Sequence, residues 1–474
     1  MSMTPQLVLP DMEEEEASSG PAEPSPPAGL RDSSFERNKQ SSVHRWVPWI
    51  AGFSAGFVAD VFQQYLPDPG RRDVTILEPF SGVGTTLVEG MLHGYNVVGF
   101  EINPYAALAS RVKCAAFRLE PEDLRHHLIV FEHRARQRTA EIDAVFAAGG
   151  DVVACAPPPR AAPPPAFRSR VPFFSPAVER KVLHCLDIIH ELPSAEMREL
   201  LLLAFGAVMV SFSNYSYEPS LGSRVAAGKP EVPNADVVGV LAAKMRAMLD
   251  DLVSYRAQMA RFCPPPTARV IPASSLALSD HLAPDSADLV VTSPPYLNNY
   301  HYIRNTRPHL FWLNFVAASG ELKKIETANF GKYWQTVRDA PRSHLRFALP
   351  ELEERIQAIG EMHPEKGIYG GGGWANYAVE YFNDCHRIGV GLQYALKPGG
   401  VAVFVLGNSI TQGIELVTDR YFGQIGELCG LHLEDIHLLR EKRVGNSVVN
   451  SSVRNGQPTK ATLYETAVVL RKPK

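Results

Sequence analysis

The run VTILEPFSGVGTTLVEGMLHGYNVVGFEI, residues 74–102, restricts the fold more than any other part of the chain. VTILEPF reads as a buried strand, SGVGTT as a glycine turn opening a helix, and NVVGFEI (96–102) as a second apolar strand. Strand, turn, helix, strand is a βαβ unit, and such units build parallel sheets whose ligand crevice lies outside the carboxyl ends of the strands. Gly82 and Gly84 allow the tight turn and let a ligand approach the backbone. The helix behind them offers free N–H groups. Glu101 ends the second strand, 17 residues after Gly84, where a carboxylate can accept from both hydroxyls of a ribose. On these residues alone, a plain βα turn beside a surface glutamate stays open.

Charge narrows the ligand. A dinucleotide fingerprint needs a third glycine, and Leu87 stands there instead. Glu78, just before the turn, would repel a pyrophosphate but suits an ammonium group. S-adenosyl-L-methionine carries an ammonium and a sulfonium, so it is favoured over NAD as the cofactor.

Five more strand-like runs follow: ARVIPA (268–273), ADLVVT (287–292), VAVFVLGN (401–408), LHLEDIHLL (431–439) and YETAVVLRK (464–472). About seven strands with helices between them predict a doubly wound α/β sheet. A proline-rich connector, ACAPPPRAAPPPAFRSR (154–170), and a helical stretch over 176–262 interrupt it. There Val178, Val182, Leu186 and Ile189 share one helix face, and Leu241, Met245, Met248, Leu252 and Tyr255 another. Residues 1–38 are rich in Glu, Pro, Ser and Gly and are expected to be disordered. The expected catalytic core is therefore 39–115 with 267–303 and 376–474, and the inserts are 116–266 and 304–375.

Composition excludes several classes. No apolar run reaches the ~18 residues of a membrane span, and the N-terminus is acidic rather than basic and then apolar, so neither a membrane partner nor a secretory signal is expected. Six scattered cysteines without a CxxC pair fit reduced thiols and a cytoplasmic location. No HxH or HExxH pattern appears, and no metal is expected. The net charge of −4 conceals an acidic tail: residues 1–35 hold seven acids against one base, and removing that −6 leaves +2. A mildly basic remainder is compatible with a local basic cleft.

The stretch VVTSPPYLNNYHY (290–302) carries the chemistry. Prolines end the strand and hold Ser293, Pro294, Pro295 and Tyr296 stiffly at its tip. The prolines leave carbonyls as acceptors, and an exocyclic amino group on a base is a double donor. Hydrogen bonds to a proline carbonyl and the Ser293 oxygen would orient that amine, and Tyr296 could stack on the base. Catalysis would rest on positioning and electrostatics, with the base flipped out of a duplex or single-stranded.

Together, ILEPFSGVGTTLVEG, VVGFEINP and DLVVTSPPYLNNY resemble the amino-methyltransferases of DNA, whose cofactor motif, ribose-binding acid and catalytic motif they match in turn. SVHRWVPWIAGF (42–53) resembles the cofactor-contacting segment of some members, and KPGGVAVFVLGNS the fifth strand. The resemblance covers about half the chain. It implies an α/β fold with a seven-stranded Rossmann-like methyltransferase sheet and a large helical insertion. It assigns Glu78, Phe80, Gly82, Gly84 and Glu101 to the cofactor, with Ser81, Thr85 and Asn103 beside them, and Ser293–Tyr296 to the target amine. His44 would contact the methionine carboxylate or cap a helix. Ser at the first catalytic position is commoner in this family for cytosine N4 than for adenine N6, so cytosine N4 is favoured. Members often place an acid after the third strand for the adenine; here Ser274, Ser275 or Asp280 would serve. DNA is the expected partner, a cognate restriction enzyme a candidate partner, and the oligomeric state is open.

Two inserts compete to contact DNA. Residues 304–350 carry eight bases (Arg304, Arg307, Lys323, Lys324, Lys332, Arg338, Arg342, Arg346) against three acids, with Trp312, Tyr333 and Trp334. The helical insert holds the polar, aromatic SFSNYSYEPSLGSR (211–224). GGGG (370–373) reads as a hinge or a flexible linker. The rival functions are an adenine-N6 enzyme, an RNA base amino-methyltransferase, a catalytically silent nucleic-acid-binding protein and an NAD-dependent oxidoreductase.

Overall fold

The computed structural model describes residues 30, 35–49, 52–66, 68, 71, 73–217, 220–297, 300–442 and 462–474. Its centre is a seven-stranded sheet of β1 (Thr75–Glu78), β2 (Asn96–Phe100), β3 (Ala268–Ile271), β4 (Ala287–Thr292), β5 (Leu396–Gly407), β6 (His432–Lys442) and β7 (Leu463–Arg471). The strand order is β6-β7-β5-β4-β1-β2-β3. All neighbours run parallel except β7, which is antiparallel to both β5 and β6. The seven runs read as strands are the seven strands of this sheet. β5 starts earlier than 401, because Gly399 and Gly400 exchange backbone hydrogen bonds with Lys472 and carry the KPGG turn into the sheet.

Strand periodicity splits the core in two. Ile76, Leu289, Val291, Val403 and Val469 face one layer, and Leu77, Val290, Phe404 and Val468 face the other. The first layer holds the helices Ala55–Tyr65, Thr85–Leu92 and Pro104–Ala115, and the inserted helices Pro121–Ala147, Pro176–His190, Ala195–Val208 and Val237–Met259 continue it. Val178, Val182, Leu186 and Ile189, like Leu241 through Tyr255 on the later helix, are buried there, as their spacing predicts. The second layer holds the helices Pro350–Gly360, Gly371–Ala395 and Thr418–Leu428.

Two expectations change. Residues 1–29 and 31–34 of the expected disordered tail lie outside the described residues, but Phe35–Gln40 is a 3₁₀ turn with Asn38 buried. The Asn38 amide accepts from Ala55 N at 2.9 Å and donates to the Phe53 carbonyl at 3.1 Å, which ties this segment to the first helix. GGGG is neither hinge nor linker. The helix Gly371–Ala395 begins inside it, and a Cβ on Gly371 would collide with the Ile359 carbonyl, so these glycines allow a close helix contact. Among the described residues, no helix is long and apolar enough to cross a membrane.

Candidate active site

β1 and β4 are neighbours, and strand order reverses between them. The connection from β1 stays on the first layer, whereas that from β4 passes the first layer at the helix Tyr302–Trp312 and then crosses to the second through the helix Gly371–Ala395, which leaves a crevice between the two strand tips. The glycine turn follows β1 and SPPY follows β4, so the topology brings together two loops about 210 residues apart in the chain. They share one cavity. Phe80, Ser81, Gly82 and Thr85 line it from the turn, Glu101 and Asn103 from the tip of β2, and Ser293 and Pro295 from the second loop. Trp49 and Phe53 close one side, Asn329 and Phe330 another, and Ser274 and Ser275 a third.

The turn is built by its own neighbourhood. Gly82 (φ 50°) and Gly84 (φ 86°) hold positive φ, and a Cβ on Gly84 would lie 3.0 Å from Ser110. Ser110 Oγ donates to the Gly82 carbonyl at 2.8 Å. Glu101 accepts from Gly82 N at 2.8 Å with one carboxylate oxygen and from Asn103 N at 2.7 Å with the other. Burial lifts its carboxyl to about 7, although these backbone donors pull it back down. Each oxygen keeps a further lone pair for a ligand. Ser81 is buried, and its hydroxyl, at the cavity wall, has no partner among the described residues. An orphaned hydroxyl beside a carboxylate acceptor fits a polyhydroxylated ligand such as the ribose of S-adenosylmethionine.

Some sequence-assigned residues stand elsewhere. Glu78 is 0 % exposed and absent from the cavity wall. It accepts from Thr86 Oγ1 at 2.7 Å, from Phe80 N at 3.0 Å and from Thr292 Oγ1, bridging the tips of β1 and β4. Burial raises its carboxyl to about 7 against these hydrogen bonds. It is thus a strut between the two loops rather than an ammonium ligand. Gly84 also lies behind the wall, where it caps the helix Thr85–Leu92. His44 does not reach the cavity: it is buried behind that helix, with Nε2 2.8 Å from Glu89. Its side chain does not cap a helix. Its segment nevertheless contributes Trp49 and Phe53. Asn103 does line the cavity, but its side chain caps the helix Pro104–Ala115 and donates to Thr306 at 2.7 Å. Of the three candidates after β3, Ser274 and Ser275 are at the wall and Asp280 is exposed away from it. Ser274 Oγ donates to the Ala328 carbonyl at 2.7 Å.

A smaller cavity opens from the first across Pro295, Tyr302, Ile303, Asn329 and Phe330. Tyr296, Tyr300 and Tyr333 complete its walls, so it is aromatic on several sides. The Tyr296 hydroxyl sits 3.4 Å from Ser293 Oγ, and burial pushes its phenol far above the usual range, keeping it protonated. Sequence reasoning missed Phe330, which meets Phe80 edge-on at 5.0 Å, and Tyr302. Phe330 lies in no motif, and Tyr302, the last residue of the 290–302 stretch, has no role readable there; the fold brings both to the wall.

The basic count over 304–350 also needs revision. Lys332 is taken up by Glu380 and Asp384, Arg307 stacks over Phe167 and Phe311, and Arg338 stacks on Trp334 and Tyr369. Arg304, Lys323, Lys324, Arg342 and Arg346 remain exposed, whereas Trp312 and Trp334 are core residues.

Comparisons with known proteins fit this geometry. The chain is 22 % identical over 478 residues to the type II methyltransferase M.BsoBI of Geobacillus stearothermophilus, covering 93 % of this chain and 87 % of that one. It is 21 % identical to M.AvaI of Nostoc sp. over 93 % and 88 %, and 26 % identical to M.MvaI of Kocuria varians over 47 % and 46 %. No family model matches. Among solved structures, the rRNA methyltransferase aviRa from Streptomyces viridochromogenes aligns over 90 % of this chain and 87 % of its own, with 11 % identity and a TM-score of 0.28. Sheet and site define the class: a seven-stranded Rossmann-like methyltransferase fold carrying a large helical insertion. The particular proteins it is similar to along nearly its whole length are type II methyltransferases.

Proposed function

We propose that this protein is an S-adenosylmethionine-dependent methyltransferase of nucleic acids, acting on an exocyclic amino group of DNA, with cytosine N4 as the target. One observation carries the reading: a single cavity is walled by Glu101 and Ser81 on one side and by Ser293 and Pro295 on the other. Glu101 and Ser81 would hold the ribose, and Trp49, Phe80 and Phe330 would enclose the rest of the cofactor. When bound there, S-adenosylmethionine supplies an electrophilic methyl group on sulfonium. The chain's own part is to orient the amine and exclude water. Ser293 Oγ and a proline carbonyl of the same loop accept from the amine, which favours its lone pair pointing toward the cofactor cavity. The extruded base would occupy the smaller aromatic cavity, between Tyr296 and Tyr333.

The Ser293 hydroxyl can accept from the amine and donate to the ring nitrogen beside it, cytosine N3 or adenine N1, and the resemblance, in which Ser at this position is commoner for cytosine N4, favours cytosine. The exposed bases of 304–350 would contact the phosphates, and the hairpin Tyr215–Tyr217 with Leu221–Ser223 would form the other wall. A restriction endonuclease of the same specificity is the partner this activity implies.

The test uses purified protein, tritiated cofactor, and duplex DNA against RNA, followed by nucleoside mass spectrometry. Label in DNA as N4-methylcytosine, lost in Tyr296→Ala with cofactor binding kept, is expected. N6-methyladenine would move the target base, label only in RNA would move the substrate, and cofactor binding without transfer would leave a silent binding protein.

A further inference from the structure

SPPY has an anchoring problem. Two of its four residues lack an N–H, so the loop has few backbone donors of its own, such as the Tyr296 N–H that reaches Tyr302, and leans on carbonyls and side chains. At its entry, Thr292 Oγ1 donates to Glu78. At its far side, the Tyr381 hydroxyl donates to the Pro295 carbonyl at 3.2 Å. Tyr381 lies in the middle of the helix Gly371–Ala395, outside every motif, and is 0 % exposed.

We propose that Tyr381 is a positioning residue for the target amine: its hydroxyl engages the Pro295 carbonyl and so holds in place the loop that presents Ser293 and Pro295 to the cavity. This rests on the amino-methyltransferase reading above. The ring itself is fixed. It meets Phe330 edge-on at 5.3 Å and Phe382 at 5.4 Å, and the backbone of Gly331 (φ 63°) presses so close that a Cβ there would lie 2.9 Å from it. Phe330 in turn meets Phe80 of the glycine turn at 5.0 Å. Tyr381 therefore fixes the catalytic loop from the same packed row of rings that walls the cofactor cavity. Burial holds its phenol well above the usual range, so it remains a donor across the working pH.

Tyr381→Phe in the full chain removes the hydroxyl and keeps the ring. The expected kcat for DNA methylation falls on the order of tenfold, as a small misplacement of a reacting group costs, while cofactor affinity and KM for duplex DNA stay within about twofold. Hydrogen exchange should accelerate over 290–303 and stay unchanged over 82–92. Wild-type kcat with unchanged exchange would overturn the proposal, as would a loss of cofactor affinity in step with kcat, which would make Tyr381 part of the cofactor wall. A wild-type chain that methylates no nucleic acid overturns the functional reading and this proposal with it. A methylating wild type beside an indistinguishable variant overturns this proposal alone.

Discussion

The two loops that meet in the cavity are held in opposite ways. The glycine turn is fixed by residues close to it in sequence: Glu101 and Ser110 bond Gly82, and Gly84 turns directly into its helix. The SPPY loop is fixed from afar, by Glu78, 214 residues away from Thr292, and by Tyr381, 86 residues beyond Pro295. A loop that binds by backbone N–H groups can be self-contained. A loop that must present carbonyls, and whose prolines remove its donors, depends on supports from the rest of the fold.

That contrast can be broken in order of expected effect. Glu101→Ala removes the carboxylate that would accept two ribose hydroxyls, each charge-assisted bond contributing about 1.5–3 kcal/mol. Cofactor affinity by calorimetry should fall more than about 100-fold, whereas Tyr296→Ala should leave it within about twofold. Equal losses from both would dissolve the distinction between the loops. Glu78→Ala leaves Thr292 and the Phe80 N–H without their acceptor at the junction of both loops, and Thr86 with only the Val291 carbonyl at 3.3 Å. A stability loss of about 2–4 kcal/mol in denaturant unfolding is expected, with methyl transfer reduced more than cofactor binding.

A milder probe is pH. Glu101 has its folded carboxyl raised to about 7, so the folded chain keeps a proton that the unfolded chain loses above the ordinary value of 4.5. Its contribution to stability is complete below that value and is lost as pH rises through about 7. Ribose hydroxyls donate to the ionised form, so cofactor affinity has the opposite slope. It should be roughly tenfold weaker at pH 6 than at pH 8, and Glu101→Gln should flatten the profile. Equal affinity at the two values would remove Glu101 from the contact. The smallest effect is Ser81→Ala, which deletes the orphaned hydroxyl. A loss of about 0.5–1.5 kcal/mol in cofactor binding is expected by calorimetry, with unfolding unchanged. Unchanged binding would show that the hydroxyl has no ligand partner.

The same contrast explains what the amino-acid sequence discloses. The seven strands were readable because each is a short apolar run bounded by turn residues. That Glu101, Gly82, Ser293 and Pro295 line one cavity was readable because each lies within a few positions of the carboxyl end of a strand. His44 and Glu78 were placed in the correct segments, but which way a side chain points from a buried segment depends on packing: Glu89 draws His44 behind the helix, and Thr292 and Thr86 draw Glu78 between the strands. Phe330 and Tyr381 had no local signal, since an aromatic on an amphipathic helix or in an irregular insert reads as core. The basic count over 304–350 overstated the free charge because Arg307, Arg338 and Lys332 spend theirs on rings and carboxylates inside the fold.

The convergence of the two loops on one reaction is tested most directly by a crystal structure with a non-reactive sulfonium analogue of the cofactor. The expected result is a ribose on Glu101 and Ser81, between Trp49 and Phe330, with the sulfonium end directed at Ser293 and Pro295. An analogue bound with that end turned away from Ser293, or seated outside this cavity, would contradict it.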